Sequence, residues 1–104
     1  MNITVTENNG QTSIALDGML DSSSASRFQE VANQQLAKDN LDIVLDLTDL
    51  AYTSSQGIRT FLTMMKTVSA RKGKLVFRNI QPDVMEVLDM SGISQAMVIE
   101  NDRQ

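Results

Sequence analysis

Leu45-Asp46-Leu47-Thr48-Asp49-Leu50-Ala51-Tyr52-Thr53-Ser54-Ser55-Gln56-Gly57-Ile58-Arg59 reads as an apolar strand, a short polar loop over 48–54 and the start of an amphipathic helix. The loop delivers hydroxyl groups to the point where the helix begins. The first amides of a helix have no intrahelical partner, and the macrodipole is positive at that end. An anion placed there is stabilised. A serine at this position can carry a phosphate without disrupting the fold, so Ser55 is a candidate switch. Ser54 or Thr53 is expected to cap the helix through its hydroxyl. Capping by Ser54 is compatible with Ser55 as an exposed residue of the first turn.

Outward from this stretch the periodicities are clear. Leu41, Ile43, Leu45 and Leu47 alternate with Asp42, Val44 and Asp46, the pattern of a strand. Ile58, Phe61, Leu62, Met65 and Val68 recur at helical spacing. Arg71-Lys72-Gly73 closes that helix, with cations in the last turn and Gly73 at the C′ position. Upstream, Ile3 and Val5, then Ile14 and Leu16, flank Asn9-Gly10. Asn-Gly between alternating runs predicts a hairpin, with strands over 2–6 and 12–16. Asp21 and the serine run Ser22-Ser23-Ser24 suit a helix start. Ala25, Phe28, Ala32, Gln35 and Leu36 share one face of a helix expected over 22–38.

Downstream, Lys74-Leu75-Val76-Phe77-Arg78 is a short strand. Pro82 fits the first position of a further helix with Gln81 as N-cap, and Ile80 and Met85 stand at staple positions. Val84, Val87 and Leu88 form its inner face, and Ser91-Gly92 stops it. A last strand is expected over 96–100, followed by a frayed polar end over 101–104. Strands alternating with helices imply parallel pairings and right-handed crossovers. The expected fold is α/β: one domain over 1–104, a mixed sheet of about five strands with three or four helices packed on it.

Composition narrows the function. The chain has 104 residues, 41% of them apolar, and a net charge of -4. That suffices for one real core. Nucleic-acid binding needs a basic stripe, which is missing. Arg71, Lys72 and Lys74 cluster, but they straddle a helix end and complement its dipole. There is no Cys and no His. Disulfides, thiol nucleophiles, Ser-His-Asp triads and nearly all zinc sites are thereby excluded. Phosphate-cradling glycine motifs and the Gly-x-Ser-x-Gly elbow are missing as well. The reading is therefore not an enzyme, with no catalytic residue, metal or cofactor. No signal peptide and no membrane-spanning stretch are visible, so the expected location is the cytoplasm.

In α/β sheets, sites collect beyond the carboxyl ends of the strands. Two connections qualify, 18–22 and 48–55. If the strands before them are parallel neighbours, Asp21 and Ser55 share a surface. Gly57, inside the first turn of a helix, implies close approach by a neighbouring backbone or by a partner. Met65 and Met85 read as core fillers. Met19 and Met64 read as exposed interface candidates.

Three segments carry a family likeness. Gly18-Met19-Leu20-Asp21 is similar to a Gly-Glu-Leu-Asp motif, the stretch from Leu45 to Arg59 to a strand followed by Asp-Ser-Ser-Gly-Leu, and Leu88-Asp89-Met90-Ser91-Gly92-Ile93 to Asp-x-Ser-Gly-Leu. With these motifs in this order, the chain resembles, over its whole length, the STAS domain of bacterial anti-sigma factor antagonists. The resemblance implies phosphorylation at Ser55, with Ser54 as the rival acceptor, and Asp21 beside it. It implies two partners, an anti-sigma factor with a serine-kinase-like ATPase fold and a metal-dependent serine phosphatase. The unphosphorylated form would bind the anti-sigma factor and release the sigma factor. Ser54 stands where the family often has Asp, Gln56 where it often has Ser, and Met19 replaces an acid. The expected partner surface is Met19, Asp21, Ser54, Ser55, Gln56, Gly57 and Arg59. The alternative is a STAS scaffold or transport-complex subunit without a phosphoswitch.

Overall fold

Asn9 and Gly10 join β1 (Asn2–Asn8) to β2 (Gln11–Leu20) in the computed structural model, which describes residues 1–101. Both turn residues have positive φ, 53° and 83°. That is what a two-residue turn matched to the twist of the strands requires. Then follow α1 (Ser22–Leu36), β3 (Asp42–Thr53), α2 (Ser55–Ala70), β4 (Lys74–Arg78), α3 (Pro82–Ser91), a 3-10 turn (Ile93–Ala96) and β5 (Ile99–Glu100). The five strands lie in the order β1-β2-β3-β4-β5. The first pair is antiparallel and the other three are parallel. The expected mixed α/β sheet with three helices is the observed one. Among the described residues no helix is long and apolar enough to cross a membrane.

Each helix turns its apolar stripe to one side of the sheet. Phe28 of α1, Phe61 of α2 and Phe77 of β4 form an edge-to-face chain, with ring centroids 5.7 and 5.5 Å apart. Ile14, Leu16, Leu45, Leu47 and Leu50 close over them from the strands, and Val84 and Leu88 from α3. The rings prefer this geometry because the edge of one meets the negative face of the next.

Several expectations need correction. β2 and β3 both run further than their alternation suggests, so 18–20 and 48–53 are strand rather than loop. The cause is visible in the register. Ala15 pairs with Asp46 but Asp17 with Asp49, and Gly18 with Leu50 but Met19 with Tyr52. Each shift adds one residue to β3. Its inward residues therefore fall at Leu45, Leu47, Leu50 and Thr53, and period two is lost. Asp46 steadies the first shift, its Oδ1 accepting from Thr48 N at 3.1 Å and Thr48 Oγ1 at 2.6 Å. β4 stops at the Asp46–Arg78 pair, and Gln81 Nε2 then donates to the Thr48 carbonyl at 2.8 Å. That explains why Gln81 begins α3 without a side-chain cap bond.

The helices show smaller departures. α1 stops at Leu36 rather than Lys38. The inner face of α2 is rotated from the one expected: Met64 is fully buried and Leu62 is 39% exposed. Met65 and Met85 are only partly buried, against the edge of the core. On α3, Val87 is 37% exposed and only Val84 and Leu88 are buried. At the end of α2 the left-handed residue is Lys72, φ 57°, not Gly73. Lys72 N donates to the Ser69 carbonyl and Gly73 N to that of Val68, the Schellman pattern. Gly73 is required for another reason: a Cβ there would lie 2.7 Å from Leu41 Cβ. Arg71 serves α1 rather than its own helix. Its guanidinium donates to the carbonyls of Leu36 and Lys38 at 2.6 Å and of Asp39 at 3.1 Å. The strand expected over 96–100 is reduced to Ile99–Glu100, because Ile93–Ala96 coils into the 3-10 turn. The polar end lies outside the described residues from 102 onward.

Candidate functional site

β2 and β3 are parallel and end side by side. Leu20 pairs with Thr53, and Ser54 N donates to the Leu20 carbonyl at 2.8 Å. Each strand passes directly into a helix through one capping residue, Asp21 for α1 and Ser54 for α2. Asp21 and Ser55 therefore occupy the same edge, as the parallel pairing requires.

The two caps differ in chemistry. Asp21 Oδ1 accepts from Ser23 N at 3.1 Å and Ser24 N at 2.9 Å, and lies 2.9 and 3.0 Å from the hydroxyls of Ser23 and Ser24. Ser24 Oγ in turn accepts from Asp21 N at 3.0 Å, completing a capping box. These donors hold the Asp21 carboxyl down from the usual 3.8 to about 2, the Ser24 amide first and the Ser23 and Ser24 hydroxyls next. Ser54 Oγ accepts from Gly57 N at 3.2 Å. Neither helix has an acidic residue in its first turn, so α2 begins without any negative side chain.

Ser54 is thus occupied as the cap and half-buried, whereas Ser55 is the first helical residue and exposed. Ser55 Oγ makes no hydrogen bond among the described residues. Gln56 and Arg59 are exposed beside it. Gly57, expected at the partner surface, is buried instead. A Cβ on it would lie 2.5 Å from both Leu20 Cδ2 and Thr53 Oγ1. The close approach is by a neighbouring strand, and glycine lets α2 sit down on the β2–β3 end.

Sequence reasoning missed Tyr52. It pairs across the strands with Met19, and the two are exposed at 43% and 54%. Together they present an apolar face on the overhanging strand ends, beside both caps. The bulge that hides the strand character of 48–53 also hides Tyr52. Asp46 and Thr48 at consecutive alternate positions were the available signal for an irregularity there.

The sequence profile of the STAS domain matches residues 2–104. A candidate anti-sigma factor antagonist of Bordetella bronchiseptica, BtrV, is 31% identical over all of this chain and 90% of its own length. The crystal structure of a candidate anti-sigma factor antagonist from Thermotoga maritima superposes with a TM-score of 0.85 at 17% identity, covering 97% of this chain and 86% of the other. The Bacillus cell fate determinant SpoIIAA in its phosphorylated form superposes with a TM-score of 0.73 at 19% identity, covering 97% of this chain and 93% of the other.

Proposed function

This chain belongs to the STAS domain family, and from that premise we propose that it is an anti-sigma factor antagonist switched by phosphorylation at Ser55. The observation that carries the reading is the contrast between adjacent hydroxyls. Ser54 is held in the cap, and Ser55 is exposed with an unbonded Oγ at the positive end of α2. Anti-sigma factor antagonists among its relatives, and SpoIIAA solved in unphosphorylated and phosphorylated forms on the same fold, support it.

In the unmodified state the surface around Ser55 is uncharged except for Asp21 and Arg59. Met19 and Tyr52 supply apolar area at its border. An anti-sigma factor docks here and gives up its sigma factor. That partner has a serine-kinase-like ATPase fold and transfers the γ-phosphoryl group of ATP to Ser55 Oγ. A phosphate adds roughly -1.5 to -2 charge at neutral pH. Buried against the partner beside Asp21 it would be a desolvated, uncompensated anion, and affinity collapses. The α2 start tolerates it, so the fold stays intact. A metal-dependent serine phosphatase resets the switch. The work is that of a cytoplasmic binding module, not of an enzyme.

The test is to incubate the purified chain with the kinase-like anti-sigma factor of its own organism and ATP, and to read intact mass with site mapping. One phosphate on Ser55, absent in Ser55→Ala, is the expected result. Ser55→Asp should bind the anti-sigma factor at least tenfold more weakly, a loss of about 1.4 kcal/mol. Equal binding by Ser55→Asp overturns the switch. Tight binding without modification identifies the alternative, a constitutive scaffold.

A further inference from the structure

Arg59 stands one helical turn after Ser55 on α2. Residues four apart on a helix are surface neighbours, with Cβ atoms about 5–6 Å apart. Arg59 is exposed, and its guanidinium makes no hydrogen bond or ion pair among the described residues. Among the described residues the other arginines are committed. Arg27 donates to the Met1 carbonyl, Arg71 to the end of α1, and Arg78 pairs with Glu100 at 2.8 Å. Lys38 pairs with Glu7, Lys66 lies far along α2, and Lys72 and Lys74 follow its other end.

Arg59 also lines a groove of 240 Å³ between the amino-terminal halves of α1 and α2, together with Ser22, Ser26, Gln29, Gln56 and Thr60. Its walls carry hydroxyl and amide groups, and Thr60 Oγ1 donates to Gln29 Oε1 at 2.9 Å across it. Asp21, an acid held ionised by its donors, caps α1 at the same sheet edge as Ser55. Asp17 and Asp49, paired across β2 and β3, line a different cavity together with Asp46 and Arg27. A group on Ser55 thus has Asp21 at the same sheet edge and, among the described residues, Arg59 as the uncommitted cation one turn away.

We infer that Arg59 is the internal counter-ion of phosphorylated Ser55. Its guanidinium forks onto two phosphate oxygens and draws the phosphate towards the α1–α2 groove that Arg59 lines. This rests on the reading that Ser55 carries the phosphate. The pairing gives the switch a second effect. Phosphorylation adds an anion to the docking surface and also withdraws from it the Arg59 cation. Arg59 is a positioning residue for the modified state.

The test installs phosphoserine at position 55 during synthesis, so that it does not depend on any kinase, and follows the phosphorus resonance through a pH titration at low salt. A phosphoserine ordinarily loses its second proton near pH 6. In the wild-type chain that midpoint should lie lower than in Arg59→Gln by about half a unit or more, with Arg59→Lys between the two. The difference should shrink in about 1 M salt, where charges are screened within about 3 Å. Coincident curves for wild type and Arg59→Gln overturn the inference. So does a difference that salt leaves unchanged. Failure of the anti-sigma factor to modify Ser55 would overturn the proposed switch and leave this measurement standing, so the two are separable.

Discussion

At the β2–β3 edge α1 begins after a carboxylate, Asp21, and α2 begins after a hydroxyl, Ser54. Two residues further into each helix from its first residue, α1 has Ser24, which returns a bond to its cap, and α2 has Gly57, buried against Leu20 and Thr53. The first helix start is electrostatically complete, and its Ser24 hydroxyl reaches back to the Met19 carbonyl of β2 at 3.0 Å. The second is seated on the strands and carries no anion. The difference favours Ser55 over Ser22 as the site of the proposed phosphate. Both are exposed first residues of a helix, but a phosphate on Ser22 would adjoin the Asp21 carboxylate at an end already compensated. With Ser54 as its cap and no acid in its first turn, the α2 end has room for the proposed phosphate.

The most damaging way to break this contrast is Gly57→Ala. Alanine is the better helix former by about 1 kcal/mol. The collisions at 2.5 Å with Leu20 and Thr53 should override that gain. We expect a net loss of about 1–3 kcal/mol in denaturant unfolding. A neutral or stabilised variant would mean that α2 is not seated on the strand ends. Next comes the cap itself. Ser54→Ala should lose about 1 kcal/mol, whereas Ser54→Asp, which gives α2 the charge that α1 already has, should gain roughly 0.3–1 kcal/mol. If both substitutions destabilise equally, the α2 end is not short of negative charge.

The smallest effect is expected for Asp21→Asn, since asparagine also caps well and only the charge is lost. The sign follows from the depressed carboxyl. Its folded value, about 2, lies below the usual 3.8, so its contribution is complete above that value and is lost as pH falls through about 2. Thermal melts of wild type and Asp21→Asn should differ at pH 6 and converge towards pH 2. A gap that stays constant over that range would assign the effect to shape rather than charge.

Where one residue type dictates the backbone, the sequence was readable. Asn9-Gly10 specified the hairpin, Pro82 the start of α3, and Lys74–Arg78 the bounds of β4. The parallel placement of Asp21 beside Ser55 followed from the order of elements. What was hidden depended on tertiary partners. β3 beyond Leu47 lost its alternation because it carries two extra residues opposite β2, and that register is invisible in β3 alone. Leu62 and Met64 exchanged roles because the seat of Gly57 sets the rotation of α2. Arg71 looked like the end of its own helix, and only the packing of α1 shows which carbonyls it meets.

The strand order β1-β2-β3-β4-β5 has a consequence for how the molecule is made. Every strand lies beside the one synthesised just before it, so no gap has to be held open for a later segment. Such an order allows the sheet to extend strand by strand from the hairpin during synthesis. Residues 1–70 already contain β1, β2 and β3 with both capped helix starts. The edge that carries Asp21 and Ser55 is therefore assembled from the earlier part of the chain, and β4, α3 and β5 lie at the side farthest from the hairpin.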